Sequence, residues 1–416
     1  MAGAYRFSPS PTGKLHLGSA RTAMVSYVLS KQAEAEFHLR IEDTDLVRST
    51  KAFEDEIIES IQWLGVQFNN AVIRQSEQEE AGVYKDIGKK LVDAGLAYYC
   101  GCTKHSLQKM KAAQIQAKLP LGYTGVCREA NHSSGALRLN MAAVRLALDS
   151  KGEYGGLKHI KFTDSVYGPR NTDLRDLTDI VLLRANGEAT YLLANTVDDL
   201  FSGVTRVVRG ADILPQTPIQ IVLRQSIATT LSMPIDIPEY THVPLVLGES
   251  GEKLSKRSPT TKSIMDFKAD GILPDAITQF ALAIGNSSIT KTEALTLQEI
   301  IECYDASKNA KNNVAFSVHQ LLFINKLHIR RTPNDVLNKL MGTSFSEETL
   351  QICKHRVNTL VALKADAEAA EFIIKTFEKE LKDLESKGFP PKECQDFRVT
   401  CLGGASGIAL NALKFS

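Results

Sequence analysis

Ser8-Pro9-Ser10-Pro11-Thr12-Gly13 followed by His16-Leu17-Gly18 gathers hydroxyls, an imidazole and glycines in one short stretch. Arg6 to Ser8 read as the end of a strand. Pro9 and Pro11 forbid regular helix, and Thr12-Gly13 favours a tight turn. From Ser19 the apolar spacing is helical, through Ala20, Ala23, Met24, Tyr27 and Val28. A strand, a turn and a helix N-terminus form a ready anion site, because free backbone N–H groups and the helix dipole point the same way. Gly18 lets a ring or a phosphate approach the backbone, and His16 stands ready to donate a hydrogen bond. A histidine at a turn is, taken alone, more often structural or solvated. The stretch is not the Gly-rich loop that ends in Lys-Ser/Thr, since Gly13-Lys14 lacks the earlier glycine and the hydroxyl. A second basic stretch, Lys253-Leu254-Ser255-Lys256-Arg257, follows the turn Gly248–Gly251. Its paired lysines can reach one polyphosphate and stabilise charge on a leaving pyrophosphate. A solvated basic turn is the plainer reading of that stretch by itself.

The elements that must position these groups alternate. Phe37 to Ile41 reads as a strand ending at Glu42-Asp43-Thr44-Asp45, residues 51–64 as an amphipathic helix, Val72 to Arg74 as a short strand and Tyr84 to Ala94 as a helix. Such alternation predicts a parallel sheet with crossover helices, with ligands beyond the carboxyl ends of the strands. Residues 98–185 break the pattern and read as an insertion. Thr190 to Leu193 reads as a strand and Val197 to Leu200 as a helix. Thr205 to Arg209 is then a strand, Pro218 to Leu231 a helix, and Val243 to Leu247 a buried strand with Pro244 near its edge. Beyond residue 262 only helices are expected, among them Val314 to His328 and one long run from Ser346 to Leu384.

At 416 residues the chain has room for two or more domains. A net charge of +1 excludes a global basic field, so nucleic-acid contacts would need a local face. No apolar run reaches the length of a membrane span and no signal-peptide core opens the chain. Seven cysteines without export signals predict reduced thiols and a cytoplasmic location. Cys100, Cys102 and Cys127 offer thiolates to a tetrahedral zinc, or are simply reduced thiols.

Ser8 to Gly13 with His16-Leu17-Gly18, and Lys253 to Arg257, resemble the HIGH and KMSKS signatures of class I aminoacyl-tRNA synthetases. More narrowly, Arg40 to Asp45, Tyr191 to Asn195 with Val197-Asp198-Asp199, and Val207 to Asp212 resemble the glutamyl-tRNA synthetase family of bacterial type. These blocks stand in the family's order between residues 5 and 285; after residue 310 the match loosens. The resemblance implies a Rossmann-like parallel-sheet catalytic domain of the α/β class with an α+β insertion, then an all-helical C-terminal region. Expected divisions are 1–98 with 186–250 as catalytic domain, 99–185 as acceptor-end-binding insertion, 251–325 as signature loop and stem-contact region, and 326–416 as a shortened anticodon-binding domain.

The resemblance further implies a glutamate–tRNA ligase that forms glutamyl-adenylate from L-glutamate and ATP with Mg²⁺. The glutamyl group then passes to the 3′ end of tRNA(Glu), or of tRNA(Gln). His16, Lys253 and Lys256 would be catalytic. Pro9, Ser10, Thr12, His16, Gly18, Ser255 and Lys256 would bind ATP, and Arg6, Ser8, Ser10, Glu42, Tyr191, Asn195 and Arg209 glutamate. Arg6 and Arg209 supply forks suited to carboxylates, and Glu42 would take the ammonium. Asp198 and Asp199 read as structural, and Glu42 and Asp43 have helix capping as the plainer role. Tyr123 resembles the zinc-bound tyrosine of the shorter glutamyl-queuosine synthetases, while Glu129 stands where other relatives carry a histidine ligand. Family members usually need bound tRNA before activating the amino acid. Lys326, Arg330, Arg331, Lys354 and Arg356 would offer phosphate contacts or be ordinary helix charges, and a monomer is expected. Phe397 to Phe415 resembles a shortened tail, which would relax anticodon discrimination. The alternatives are a glutamyl-queuosine tRNA(Asp) synthetase and a degenerate tRNA-binding paralogue. Roughly 150 residues of helical pattern after the second signature speak against the first, and His16, Lys253 and Lys256 against the second.

Overall fold

The computed structural model describes residues 3–150, 159–248, 251–252 and 262–387. The basic stretch Lys253 to Arg257 and the segment Phe397 to Phe415 lie outside the described residues. The chain forms two compact units, residues 1–261, 285–288 and 301–315 in the first, and residues 262–284, 289–300 and 316–416 in the second.

The strands are β1 Ala4–Phe7, β2 Glu36–Ile41, β3 Ile73–Arg74, β4 Ala97–Cys100, β5 Ala136–Leu139, β6 His159–Asp164, β7 Gly168–Asp173, β8 Val181–Leu183, β9 Arg206–Gly210, β10 Glu239–Val243, β11 Val246–Leu247 and β12 Val314–Ala315. In the first unit the helices up to β11 are α1 Leu17–Gln32, α2 Lys51–Trp63, α3 Gln75–Glu80, α4 Val83–Asp93, α5 Lys104–Gln116, α6 Met141–Ser150, α7 Tyr191–Phe201 and α8 Thr217–Thr230. Helices α9 Ile264–Ala269, α10 Pro274–Ala283, α11 Leu297–Cys303, α12 Val318–Arg331, α13 Asn334–Met341, α14 Glu347–Cys353 and α15 Leu360–Ser386 follow.

β1, β2 and β3 pair in parallel, and a parallel bridge from Ala4 to Val204 joins β1 to the chain entering β9. β9 pairs in parallel with β10, β10 with β6, and β6 antiparallel with β7. Every residue of β1 is buried, as a central parallel strand covered on both faces requires. Helix α1 buries residues on all its sides, from Leu17 and Ala20 to Leu29 and Ser30, so its pattern is barely amphipathic. β4, β5 and β8 form a separate antiparallel sheet. The α/β class and the helical C-terminal region agree with the sequence reading, while β6 and β7, from the stretch read as an insertion, join the sheet of β9 and β10. No described helix is long and apolar enough to cross a membrane.

Several local expectations are corrected. Thr190 is the N-terminal flank of α7, and Tyr191 to Leu193 are its first turn rather than a strand. Val314–Ala315 is a strand paired with β11, so strands do not end at residue 262 and α12 starts only at Val318. The run after Ser346 is two helices, broken between Cys353 and Leu360. Asn325 explains that break: its Nδ2 donates to the Asn358 carbonyl (2.6 Å) and its Oδ1 accepts from Leu273 N (2.8 Å), fixing a turn through long-range partners. Helix α12 runs unbroken through residue 325. Of the C-terminal basic residues Lys354 is buried and donates to Asn334 Oδ1, while the exposed Arg331 pairs with Glu299 and the exposed Arg330 donates to His355 O.

Candidate active site

A cleft of about 370 Å³ opens at the carboxyl ends of β1, β9 and β10. It lies where β1 has β2 on one side and the β9 side of the sheet on the other, the place where an open parallel sheet binds ligands. Arg6, Ser8, Pro9, Ser10, His16, Gly18, Glu42, Tyr191, Asn195 and Arg209, spread over 204 positions of sequence, all line it. Thr12 is off its wall.

The turn after β1 is fixed from outside. Pro9 O accepts from Glu42 N (2.9 Å), Pro11 O from Thr50 N (3.2 Å), and Leu15 N donates to Glu56 (3.2 Å). His16 is the N-cap of α1, its Nδ1 accepting from Ser19 N at 3.3 Å. A backbone N–H can only donate, so the neutral ring carries its proton on Nε2. Nε2 is then the donor at a helix N-terminus, with the Ser19 hydroxyl 3.3 Å from it. A Cβ at Gly18 would stand 3.1 Å from the His16 ring, so glycine makes room for that imidazole. The Ser8 hydroxyl is buried and has no hydrogen-bond partner among the described residues, which suits a group meant for a ligand.

The opposite wall is a chain of buried ions and amides. Arg6 donates from Nε (3.0 Å) and Nη2 (3.2 Å) to the two oxygens of Asp199, and from Nη1 to Val208 O (3.1 Å). Arg40 Nη1 reaches the same Asp199 (2.7 Å), and its Nη2 reaches Glu42 Oε1 (3.3 Å). Asn195 Nδ2 donates to that Glu42 oxygen at 2.6 Å. Gln220 bridges Asn195 and Arg209, and Arg209 also donates to Thr217 (2.8 Å) and to His242 Nε2 (3.0 Å). Both clefted guanidinium groups and the Glu42 carboxylate are thus held from behind. Asn195 serves here as the buttress of Glu42.

Burial opposes ionisation of Asp199, but Arg6 and Arg40 hold its carboxyl well below the usual range. Asp198 behaves oppositely. Burial dominates there and Arg40 only partly offsets it, so its carboxyl is pushed up to about 6. Its partners are Gln75 and the Tyr84 hydroxyl, away from the cleft. Asp43 accepts from Ser76 N (2.8 Å) and Ser76 Oγ (2.6 Å) in the first turn of α3, a distant helix and not the turn that follows Asp43 in sequence. Sequence reasoning assigned no role of their own to Arg40, Gln220, Thr217, His242 and Asp164. Arg40 stood inside a block that resembles the family, and the other four carried no mark beyond being polar.

In the inserted segment the three sulfurs of Cys100, Cys102 and Cys127 lie within 4.8 Å of one another. The Tyr123 hydroxyl is 3.3 Å from Cys100 Sγ and 3.6 Å from Cys102 Sγ. Burial opposes ionisation of Cys100, yet the Tyr123 hydroxyl, the Cys102 backbone and Arg138 bring its thiol down to about 7. Glu129 is exposed and stands outside this group.

Residues 4–323 match the family of class I tRNA synthetases (E and Q), catalytic domain. The chain is 34% identical over 359 residues to the glutamate–tRNA ligase of Lawsonia intracellularis, covering 86% of this chain and 73% of that protein. With the glutamate–tRNA ligase of Oleidesulfovibrio alaskensis it shares 34% over 395 residues, covering 90% and 81%. A solved glutamate tRNA ligase from Elizabethkingia meningosepticum, in complex with its amino acid, has the same fold: TM-score 0.72, 24% identity, 89% of this chain and 80% of that one covered.

Proposed function

Because the chain belongs to the class I tRNA synthetases of the E and Q type, we propose that it is a glutamate–tRNA ligase, activating L-glutamate with ATP and esterifying it to the 3′ end of tRNA(Glu). One observation carries this reading. Two fixed guanidinium groups, Arg6 and Arg209, share a cleft with a buttressed carboxylate, Glu42, and with the capped N-terminus of α1. A ligand with two carboxylates, one ammonium and a phosphate partner matches that set of charges.

Arg6 and Arg209 take the carboxylates and Glu42 the ammonium; Ser8, Ser10 and Tyr191 complete the pocket. The glutamate α-carboxylate oxygen forms a bond to the α-phosphorus of ATP while the bond to the β-phosphate oxygen breaks and pyrophosphate leaves. His16 Nε2, with the backbone near Pro9 and Gly18, binds the phosphates more tightly as charge grows on the leaving group. Lys253, Ser255 and Lys256 do the same by the motif they resemble. Mg²⁺ would accompany ATP and supply positive charge to its phosphates. The terminal ribose hydroxyl of the tRNA then attacks the mixed anhydride and AMP leaves. Glutamate-dependent ATP–pyrophosphate exchange with and without tRNA, followed by charging of glutamate-, glutamine- and aspartate-type tRNAs, tests the proposal. A glutamyl ester on the 3′ end of tRNA(Glu) supports it; no exchange with any tRNA overturns it. Esterification of tRNA(Gln) in the same assay would mark a non-discriminating ligase.

Arg6→Gln removes a cation that favours a carboxylate over an amide. Preference for glutamate over glutamine is expected to fall about 10- to 100-fold, the range of one or two charged hydrogen bonds. Competition assays with both amino acids measure it, and unchanged preference would take Arg6 out of recognition.

The Cys100, Cys102, Cys127 and Tyr123 group fits zinc. Sulfurs bonded at about 2.3 Å to a tetrahedral ion stand roughly 3.8 Å apart, and Cys102 Sγ and Cys127 Sγ are 3.5 Å apart. Bound there, the ion would tie β4 to the Tyr123–Cys127 loop. Purified protein should carry close to one zinc per chain by elemental analysis, and Cys127→Ser should lose it together with several degrees of melting temperature. Metal-free wild type with an unchanged melting temperature would leave three reduced thiols. Helix α5 beside this group has no buried residue, and no acidic residue occurs between Asp93 and Glu129, which suits the acceptor end of a tRNA.

A further inference from the structure

We infer that Asp164 and His242 are positioning residues that set the orientation of Arg209, and through it the carboxylate of the amino acid. The inference rests on the ligase reading above. Asp164 ends β6 in the inserted segment, and β6 pairs in parallel with β10 at Asp164 and Tyr240. Its Oδ1 accepts from Val166 N (2.9 Å) and Tyr167 N (2.9 Å). Its Oδ2 accepts from His242 N (3.0 Å) and from His242 Nδ1 (2.6 Å). Four N–H groups therefore converge on one buried carboxylate.

The direction of each bond follows from donors that cannot accept. Arg209 Nε–H donates to His242 Nε2 at 3.0 Å, so Nε2 is bare and Nδ1 holds the proton given to Asp164. His242 is fully buried and stacks on Tyr240 at 6.0 Å between ring centroids, so the ring cannot turn. Burial also lowers its pKa, against the pull of Asp164, which favours the neutral ring this bond needs. Gln220 and Thr217 each take one hydrogen from the terminal nitrogens of Arg209. One hydrogen on each terminal nitrogen has no partner among the described residues, and the group lines the cleft. A guanidinium fixed at Nε in this way presents a fork of constant direction. Asp164 and His242 do not line the cleft, so they act only through Arg209.

Two histidine variants separate positioning from simple packing. His242→Asn keeps an amide N–H near Nδ1 for Asp164 and removes the acceptor at Nε2. His242→Gln can extend an amide oxygen to the Nε2 position. In the exchange assay His242→Asn should raise KM for glutamate about tenfold or more with KM for ATP within about threefold, and His242→Gln should restore most of the glutamate KM. Asp164→Asn supplies a second route. Its NH₂ faces donors on either side, His242 or the Val166 and Tyr167 amides, and the acceptor loses its charge, so the hold on His242 weakens and glutamate KM should rise likewise. Equal effects of the two histidine variants, or parallel rises in both KM values, would overturn the inference. Wild type without glutamate-dependent exchange would instead overturn the ligase reading itself.

Discussion

Asp199→Asn should lower glutamate activation by about two orders of magnitude or more and reduce folding stability by about 3–5 kcal/mol, the range for breaking a buried ion pair from one side. Asp199 is 5% exposed and receives three charged hydrogen bonds from Arg6 and Arg40. An asparagine of the same shape removes the charge and turns an NH₂ toward a guanidinium. Two buried cations then lack their shared counter-ion, and Arg6 loses the bidentate clamp that aims it into the cleft. Urea unfolding and ATP–pyrophosphate exchange measure the two effects. The sign with pH is fixed as well. The native carboxyl is depressed, so its contribution is present above the ordinary aspartate range and fades as pH falls through the native value. The difference between wild type and variant should therefore shrink in acid. A loss under about 1 kcal/mol at neutral pH would mean the two arginines have other support.

Lys256→Ala is expected to reduce kcat for adenylate formation about 10²- to 10³-fold while KM for glutamate stays within about threefold. Lys256 lies outside the described residues. Its charge gains most when the phosphate oxygens of departing pyrophosphate become more negative, and it has no part in holding the amino acid. Single-turnover quench experiments separate the two constants. Equal loss in both would contradict a role confined to the transition state.

The sequence displayed the cleft better than it displayed what supports it. Arg6, Glu42 and Arg209 stand at strand ends, and a parallel sheet delivers strand ends to one place, so periodicity and turn signals suffice. Asp199 sits inside a helix, and Arg40 and Asp164, though near or at strand ends, turn to buried partners and do not line the cleft. Their partners are 193, 159 and 78 positions away, and only the folded sheet selects them. Local pattern also misjudged Tyr191 to Leu193, where a β-forming composition is overridden by the helix that packs against α8. β12 was invisible because two residues have no period, and its ladder with β11 exists only through a distant partner. Val243 to Leu247 was legible as apolar but not as two strands, because Pro244 cannot donate to a ladder and interrupts the run.

The pairing of β6 with β10 has a consequence for anyone recombining such enzymes. Residues 99–185 look portable from outside, yet they end β6 in the carboxylate that holds His242 behind Arg209. A chimaera that exchanges residues 99–185 for foreign sequence must bring an acid at the register facing Tyr240. A graft lacking it would fold its own sheet correctly and still leave the host enzyme with a slack grip on its amino acid.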